Sequence, residues 1–205
     1  MHEYYMLYKP RGYISAMADP VHRTLAELVP PQITTKLHPV GRLDKDTEGL
    51  LLLTDDGMLD NHLLRPEHHV MKTYLFMAFG TMTDEDAARM SAGVTLYGSG
   101  FHTAPADCAV TGHSDIGHCE AYLPADRREH YMKNPSRPVS MGTVRIREGH
   151  KHQVRLMVKA AGGHVFYLKR THIGPLALDA AMRPGDLRPL TADELHMLNY
   201  PPAIG

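Results

Sequence analysis

The chain has 205 residues, 22 Lys and Arg against 23 Asp and Glu, a net charge of −1 and 43% hydrophobic residues. That is enough for one sizeable domain, or two small subdomains sharing a core, of ordinary soluble globular character. No apolar stretch approaches a membrane span, Met1-His2-Glu3 does not open a signal peptide, and two cysteines make no disulfide framework. A reduced, cytoplasmic protein is the expectation.

In chain order, Tyr4 to Tyr8 reads as a first strand, stopped by Lys9-Pro10-Arg11-Gly12. Thr24 is placed to cap a short helix over Leu25 to Val29, which Pro30-Pro31 ends. Leu50 to Leu53 is a short apolar block closed by Thr54, Asp55, Asp56 and Gly57, the pattern of a buried strand followed by a turn. Asp44, Asp46 and Glu48 then sit in a polar loop at the lip of that strand. A loop exposes reactive groups while a core strand holds them still. Asp60 to Leu64 suggests a short helix before Pro66, and Lys72 to Phe79 a strand carrying Tyr74. Thr83 with Asp86 forms a capping pair for a helix reaching Ser91.

Ser140 to Arg147 alternates, with Val144 and Ile146 on one face and Arg145 and Arg147 on the other, as a half-buried strand with a basic outer face does. His152 to Ala161 reads as a helix ended by Gly162-Gly163. Its apolar side is Val154, Met157, Val158 and Ala161, and Arg155 and Lys159 share another side one turn apart. Val165 to Lys169 is a strand, and Thr191 with Glu194 is a capping box for a last helix to Leu198. Strands and helices interleave without a βαβ rhythm, so the expected class is α+β with a mixed, mostly antiparallel sheet. Residues 127 to 170 hold eleven lysines and arginines with only Glu129 and Glu148 as acids. A local basic surface of this kind can bind phosphates at near-zero total charge, although any single member is equally well a solvated surface residue.

The run His38 to Gly57, HPVGRLDKDTEGLLLLTDDG, with Gly41-Arg42-Leu43-Asp44 at its heart, closely resembles the signature of pseudouridine synthases, in particular the RsuA family acting on ribosomal RNA. His68 to Tyr74 resembles the family's second motif, Glu148 to Arg155 its third, and Tyr8 to Tyr13 the opening of its catalytic domain. Four matches in the family's order are far more specific than one. The resemblance implies one catalytic domain over residues 1 to 205, built of two closely packed subdomains with a cleft between them. Because the catalytic segment opens almost at Met1, no S4-type RNA-binding module is expected before it.

The implied reaction breaks the bond from uracil N1 to ribose C1′, turns the base and rejoins it through C5. A carboxylate acting as nucleophile or base suffices, with no metal, no nucleotide and no other cofactor. By resemblance Asp44 is that carboxylate, Tyr74 stacks on the uracil or exchanges a proton, and Arg155 is the cation paired with the aspartate. Arg42 enters the space left by the flipped base or holds a neighbouring phosphate. Lys9, Lys72, Arg145, Arg147, Lys151 and His152 are the further candidates for RNA contact. Family members usually carry a second basic residue where this chain has Leu156, and often Glu or Pro where it has Met71.

The histidines suggest no metal centre. Cys108, His113, His118 and Cys119 match no common zinc spacing, and there is no His-Glu-x-x-His pattern. The expected partner is ribosomal RNA, with no membrane, and the expected state is a monomer. The competing reading is an RNA-binding or ribosome-assembly factor with little catalysis, which would need none of Asp44, Tyr74 and Arg155.

Overall fold

The computed structural model describes residues 2–34, 36–65, 68 and 70–198. The chain divides into two compact units, Met1–Lys72 with Lys169–Gly205, and Thr73–Leu168.

The first unit is organised around β3, Glu48–Thr54, whose seven residues are all buried. Burial on both faces explains why its sequence is a continuous leucine block rather than an alternating one. β1, Tyr4–Lys9, runs antiparallel to β3, from Tyr4 opposite Thr54 to Lys9 opposite Gly49. β9, Leu187–Pro189, covers the other edge of β1. The remaining edge of β3 pairs antiparallel with β2, His38–Val40, and, at Glu48 and Gly49, parallel with β7, His164–Ile173. A short strand β8, Leu176–Ala177, pairs with the end of β7. Met6, Leu50, Leu52, Leu59, Leu63 and Ile173 form the centre of this unit's core.

In the second unit the strand order is β5-β6-β4-β7, with β5 at Asp107–Asp115, β6 at Pro138–Ile146 and β4 at Lys72–Phe79. α3, Asp84–Ala92, and α5, Gln153–Ala160, pack on the sheet. Phe76, Met90, Val144, Met157, Val158 and Leu168 lie in one cluster, and Phe79, Ile116, Val139 and Phe166 in another. The class is therefore α+β with a mixed sheet and flanking helices, as the sequence pattern predicts.

Several local expectations need correction. Glu48 is not a loop residue; it is the first residue of β3 and only 8% exposed. Asp56 and Gly57 do not merely close a turn: α2 runs Gly57–Leu64, and the Asp56 carboxylate caps it by accepting from the amides of Met58 and Leu59. Thr24 opens a single 3₁₀ turn, Leu25–Leu28, which ends at extended Val29 before Pro30-Pro31 as read, but Pro31 also starts a further short helix, α1, Pro31–Thr34. Proline at the first helical position loses no hydrogen bond, which is why it starts a helix as readily as it stops one. β5, the 3₁₀ helix Gly117–Tyr122 and α4, Arg128–Met132, have no counterpart in the sequence reading. β7 starts one residue before the expected Val165 and runs on past Lys169 to Ile173. The capping boxes at Thr83 for α3 and at Thr191 for α6, Ala192–Met197, are formed as read.

The β3–β7 crossing brings two backbones into close approach at Gly49 and Arg170. Gly49 has φ +112, and a Cβ there would lie 2.2 Å from the Arg170 carbonyl oxygen. Only glycine allows the two backbones to come together. Gly49→Ala is expected to cost about 3 kcal/mol or more in urea unfolding, whereas Gly149→Ala, where a Cβ meets nothing within 4 Å, should be close to neutral.

Candidate active site

The Gly41-Arg42-Leu43-Asp44 segment bridges β2 and β3 and is fastened at Leu43 and Asp44. Leu43 is buried, and its amide and carbonyl are both held by Ser15, whose Oγ accepts from the Leu43 amide at 2.9 Å and donates to its carbonyl at 2.8 Å. The Thr47 amide donates to the Asp44 carbonyl at 3.0 Å, closing a tight turn, and the Gly12 amide donates to the Lys45 carbonyl at 2.8 Å. Asp44 is half-buried, while Arg42, Lys45 and Asp46 are exposed.

Beneath the turn lies Lys9, with 0% exposure. Its ammonium donates to the Thr47 carbonyl at 2.9 Å, Pro10 at 3.1 Å, Asp44 at 3.2 Å and Lys45 at 3.4 Å. Expected at the sequence level to touch the RNA backbone, Lys9 instead binds the inner side of the aspartate turn. Three protons shared among four carbonyls replace water for a buried cation. Burial lowers the Lys9 ammonium to about 8, against the pull of the Asp44, Asp46 and Glu48 carboxylates.

Glu48 anchors the far end of the turn. Its Oε1 accepts from the Tyr8 hydroxyl at 2.9 Å and its Oε2 lies 3.3 Å from Arg11 Nε. From the sequence Glu48 was read beside Asp44, but as a loop residue, and Tyr8 and Arg11 only as part of the segment Tyr8 to Tyr13; nothing in a linear pattern says that these two and Ser15 return to residues 43 to 48. Arg170, 4% exposed, is a further residue that sequence reasoning missed as a member of this region. Its Nε donates to the Leu50 carbonyl at 2.8 Å. Its neighbours Lys169, Thr171 and His172 are polar, so the strand pattern gave no sign that Arg170 is buried. Lys72, another candidate for RNA contact, is half-buried with Nζ 3.4 Å from the Leu63 carbonyl. Burial, and then the charge of Arg170, lower its ammonium to about 8.

The second unit carries the other candidates. Tyr74 stands on β4, partly buried against the core cluster of Phe76 and Met157. Arg155 is half-buried on α5, with Nη1 donating to the Val165 carbonyl at 3.2 Å. Lys151 and His152 are exposed at the start of that helix. His152 has φ +56, a left-handed conformation that a non-glycine residue adopts at a cost. Glu148 braces this turn, accepting from Gln153 Nε2 at 2.6 Å and from the Ala104 amide at 3.0 Å. Arg145 and Arg147 are both exposed, as expected of an outer face. Arg145 is nevertheless partnered: its Nη1 lies 2.9 Å from Asp107, directly across from it on β5. Arg147 lies just past the end of β6.

Among the described residues no three His, Cys, Asp or Glu side chains form a group able to hold a metal ion. Cys108 is half-buried against the core, and burial pushes its thiol up to about 11. No described helix is long and apolar enough to cross a membrane.

Comparison with known proteins fixes the class. Residues 3–160 match the family model of RNA pseudouridylate synthases, and the chain belongs to that family. It is a pseudouridine synthase, an isomerase. An RNA pseudouridine synthase of Bacillus subtilis, YtzG, described as uncharacterised, is 40% identical over 98% of this chain and 74% of its own length. Ribosomal small subunit pseudouridine synthase A of Escherichia coli K12 is 36% identical over 94% of this chain and 72% of its own. A crystal structure of a pseudouridylate synthase superimposes with a TM-score of 0.78 at 32% identity, over 97% of this chain and 74% of that one.

Removing the Lys9 ammonium tests its place under the turn. Lys9→Met strands the inward carbonyls and is expected to lower unfolding free energy by about 2–4 kcal/mol at neutral pH. The sign of the pH dependence follows from the lowered ammonium, about 8 in the fold against 10.5. Between those values the unfolded chain binds more protons. The wild type therefore gains stability relative to Lys9→Met as pH rises through that window. A flat difference in urea melts across it would contradict the lowered Lys9 ammonium.

Proposed function

We propose that this protein isomerises a specific uridine of ribosomal RNA to pseudouridine, in the cytoplasm and as a monomer, with Asp44 as the reacting carboxylate. The single observation that carries the assignment of Asp44 is its setting. It is a half-buried carboxylate in a turn whose backbone is clamped from below by Lys9 and from the side by Ser15. A group that must meet one atom of a flipped nucleotide has to be held to within a fraction of an ångström, and this turn has the hydrogen bonds to do it. The relatives named ribosomal small subunit pseudouridine synthase A support ribosomal RNA as the substrate and make the small-subunit RNA the first to test.

The carboxylate attacks the ribose or removes a sugar proton, the N1 to C1′ bond breaks, and the detached uracil turns to present C5. Tyr74 stacks on the base and exchanges a proton. Arg155 is the cation that the family resemblance assigns to the reaction. Arg42, exposed next to buried Leu43, enters the stack that the uridine leaves or grips the adjoining phosphate. Arg147, Lys151, His152 and, with its Asp107 partner displaced, Arg145 contribute phosphate contacts. Lys72 is better placed to support the start of β4 than to meet RNA, because burial and the Leu63 carbonyl hold it.

Unmodified transcripts of small- and large-subunit ribosomal RNA, and the partly assembled small-subunit particle, are incubated with wild type and Asp44→Ala. Pseudouridine is then mapped by mass spectrometry. Wild type is expected to make one new site, and Asp44→Ala to lose about three orders of magnitude or more in rate while keeping its fold. A folded wild type that modifies none of these substrates would overturn the assignment to ribosomal RNA.

A further inference from the structure

Tyr97 is 80% exposed, the most exposed aromatic side chain among the described residues. It stands at the tip of a short hairpin whose base is firmly set. The Leu96 amide donates to the Phe101 carbonyl at 2.7 Å, and the Gly100 amide to Leu96 at 3.1 Å. Thr95 and His102 form an antiparallel bridge, and their side chains hydrogen-bond at 3.1 Å. Leu96, 2% exposed, points into the core, and the Phe101 ring lies 3.7 Å from that of His150. The hairpin thus turns Leu96 and Phe101 inward and leaves Tyr97 in solvent. Around the tip, a Cβ on Gly98 or Gly100 would meet nothing within 4 Å, so the approach to the ring is open.

One partner reaches that ring. Lys159 of α5 holds Nζ 5.0 Å from its centroid. With so much of Tyr97 in solvent, the opposite face stays available. α5 contains no acidic residue, Arg155 lies one turn before Lys159, and Lys151 is exposed ahead of the helix. The carboxylate next in sequence, Glu148, is taken up by Gln153 and the Ala104 amide. An exposed ring with a lysine ammonium beside it, and no acid on the helix that carries that lysine, is the chemistry that holds single-stranded nucleic acid, the ring taking a base and the cation a phosphate. A tyrosine that merely shelters a lysine stem has no need to sit at a hairpin tip with its other face in water.

We propose that Tyr97 and Lys159 form a stacking platform for an unpaired base of the RNA substrate outside the motifs that carry the chemistry, Tyr97 taking the base and Lys159 the adjoining phosphate. The proposal rests on the reading of the protein as an RNA-modifying enzyme, and deepens it by naming a determinant of substrate binding.

The chain contains no tryptophan, so Tyr97→Trp makes a unique fluorescent reporter that keeps a flat ring. Titrated with a small-subunit ribosomal RNA transcript, its emission is expected to be quenched with the same midpoint as the anisotropy change of end-labelled RNA. Tyr97→Ala is expected to raise Kd about 5- to 100-fold, the range of one lost base stack. It should raise KM with kcat kept, and leave the thermal unfolding midpoint in place. Tyr97→Phe should bind as wild type does. Lys159→Gln should flatten the dependence of log Kd on log salt by about one phosphate contact. Tryptophan emission that is silent at saturating RNA, with Tyr97→Ala binding as tightly as wild type, overturns the platform. Pseudouridine mapping of the wild type on the same transcript judges the isomerase reading separately. A wild type that binds but does not modify the RNA would sink that reading and leave the platform to be decided by the tryptophan signal.

Discussion

A buried ammonium under a turn of carbonyls is the constraint on which the candidate site depends. Lys9 ends β1, and its side chain reaches below the Asp44 turn to the carbonyls of Asp44, Lys45 and Thr47. A turn that directs several carbonyls inward has no helix or sheet to satisfy them, and a water molecule there would leave the turn free to shift. A fixed cation does both tasks, at the cost of its own desolvation, and the neighbouring carboxylates offset part of that cost. The arrangement ties the position of the carboxylate to the core strands β1 and β3, which pair along their whole length.

The same logic runs through the surrounding shell. Glu48 joins Tyr8 and Arg11 at the start of β3, Ser15 fixes Leu43, and glycine at position 49 lets β7 come against β3. Each contact links residues far apart in the chain; Ser15 acts on the backbone of the turn itself, and the others hold the start of β3 into which the turn runs. Rigidity of this kind is what the proposed role of Asp44 requires, beyond what a carboxylate that only caps a turn needs. Asp56, twelve residues later, shows the second case: its carboxylate is occupied by the amides that start α2.

Charge was less legible than hydrophobic pattern. The basic stretch from 127 to 170 looked almost free of acids because a linear window does not see across a sheet. Asp107, outside that window, is opposite Arg145 on β5 and pairs with it. Lys9 and Lys72, both counted among the RNA contacts, are withdrawn into the protein to different degrees. The exposed aromatic at Tyr97 drew no notice in the sequence, since a lone tyrosine beside glycines has no periodic signal. Only the register of its hairpin and the proximity of Lys159 give it meaning.

The sequence by itself determined the class, the leucine block that becomes β3, the strand Lys72–Phe79, the amphipathic α5 and the capping boxes at Thr83 and Thr191. These are written in local periodicity and in side chains that bond to backbone within one turn, so no distant residue has to be known. The motif around Asp44 belongs with them as a resemblance. Tertiary structure alone decided that Lys9 is buried beneath the Asp44 turn, that Glu48 lies in the core strand, that Ser15 and Arg11 return to residues 43 to 48, and that Arg170 bonds to β3. It also decided that β5 exists as an edge strand, where polar residues and a bulge near Val110 and Gly112 weaken the alternation that would announce it. Long-range partners and burial of charge depend on which surfaces the fold brings together, and no spacing along the chain encodes that directly.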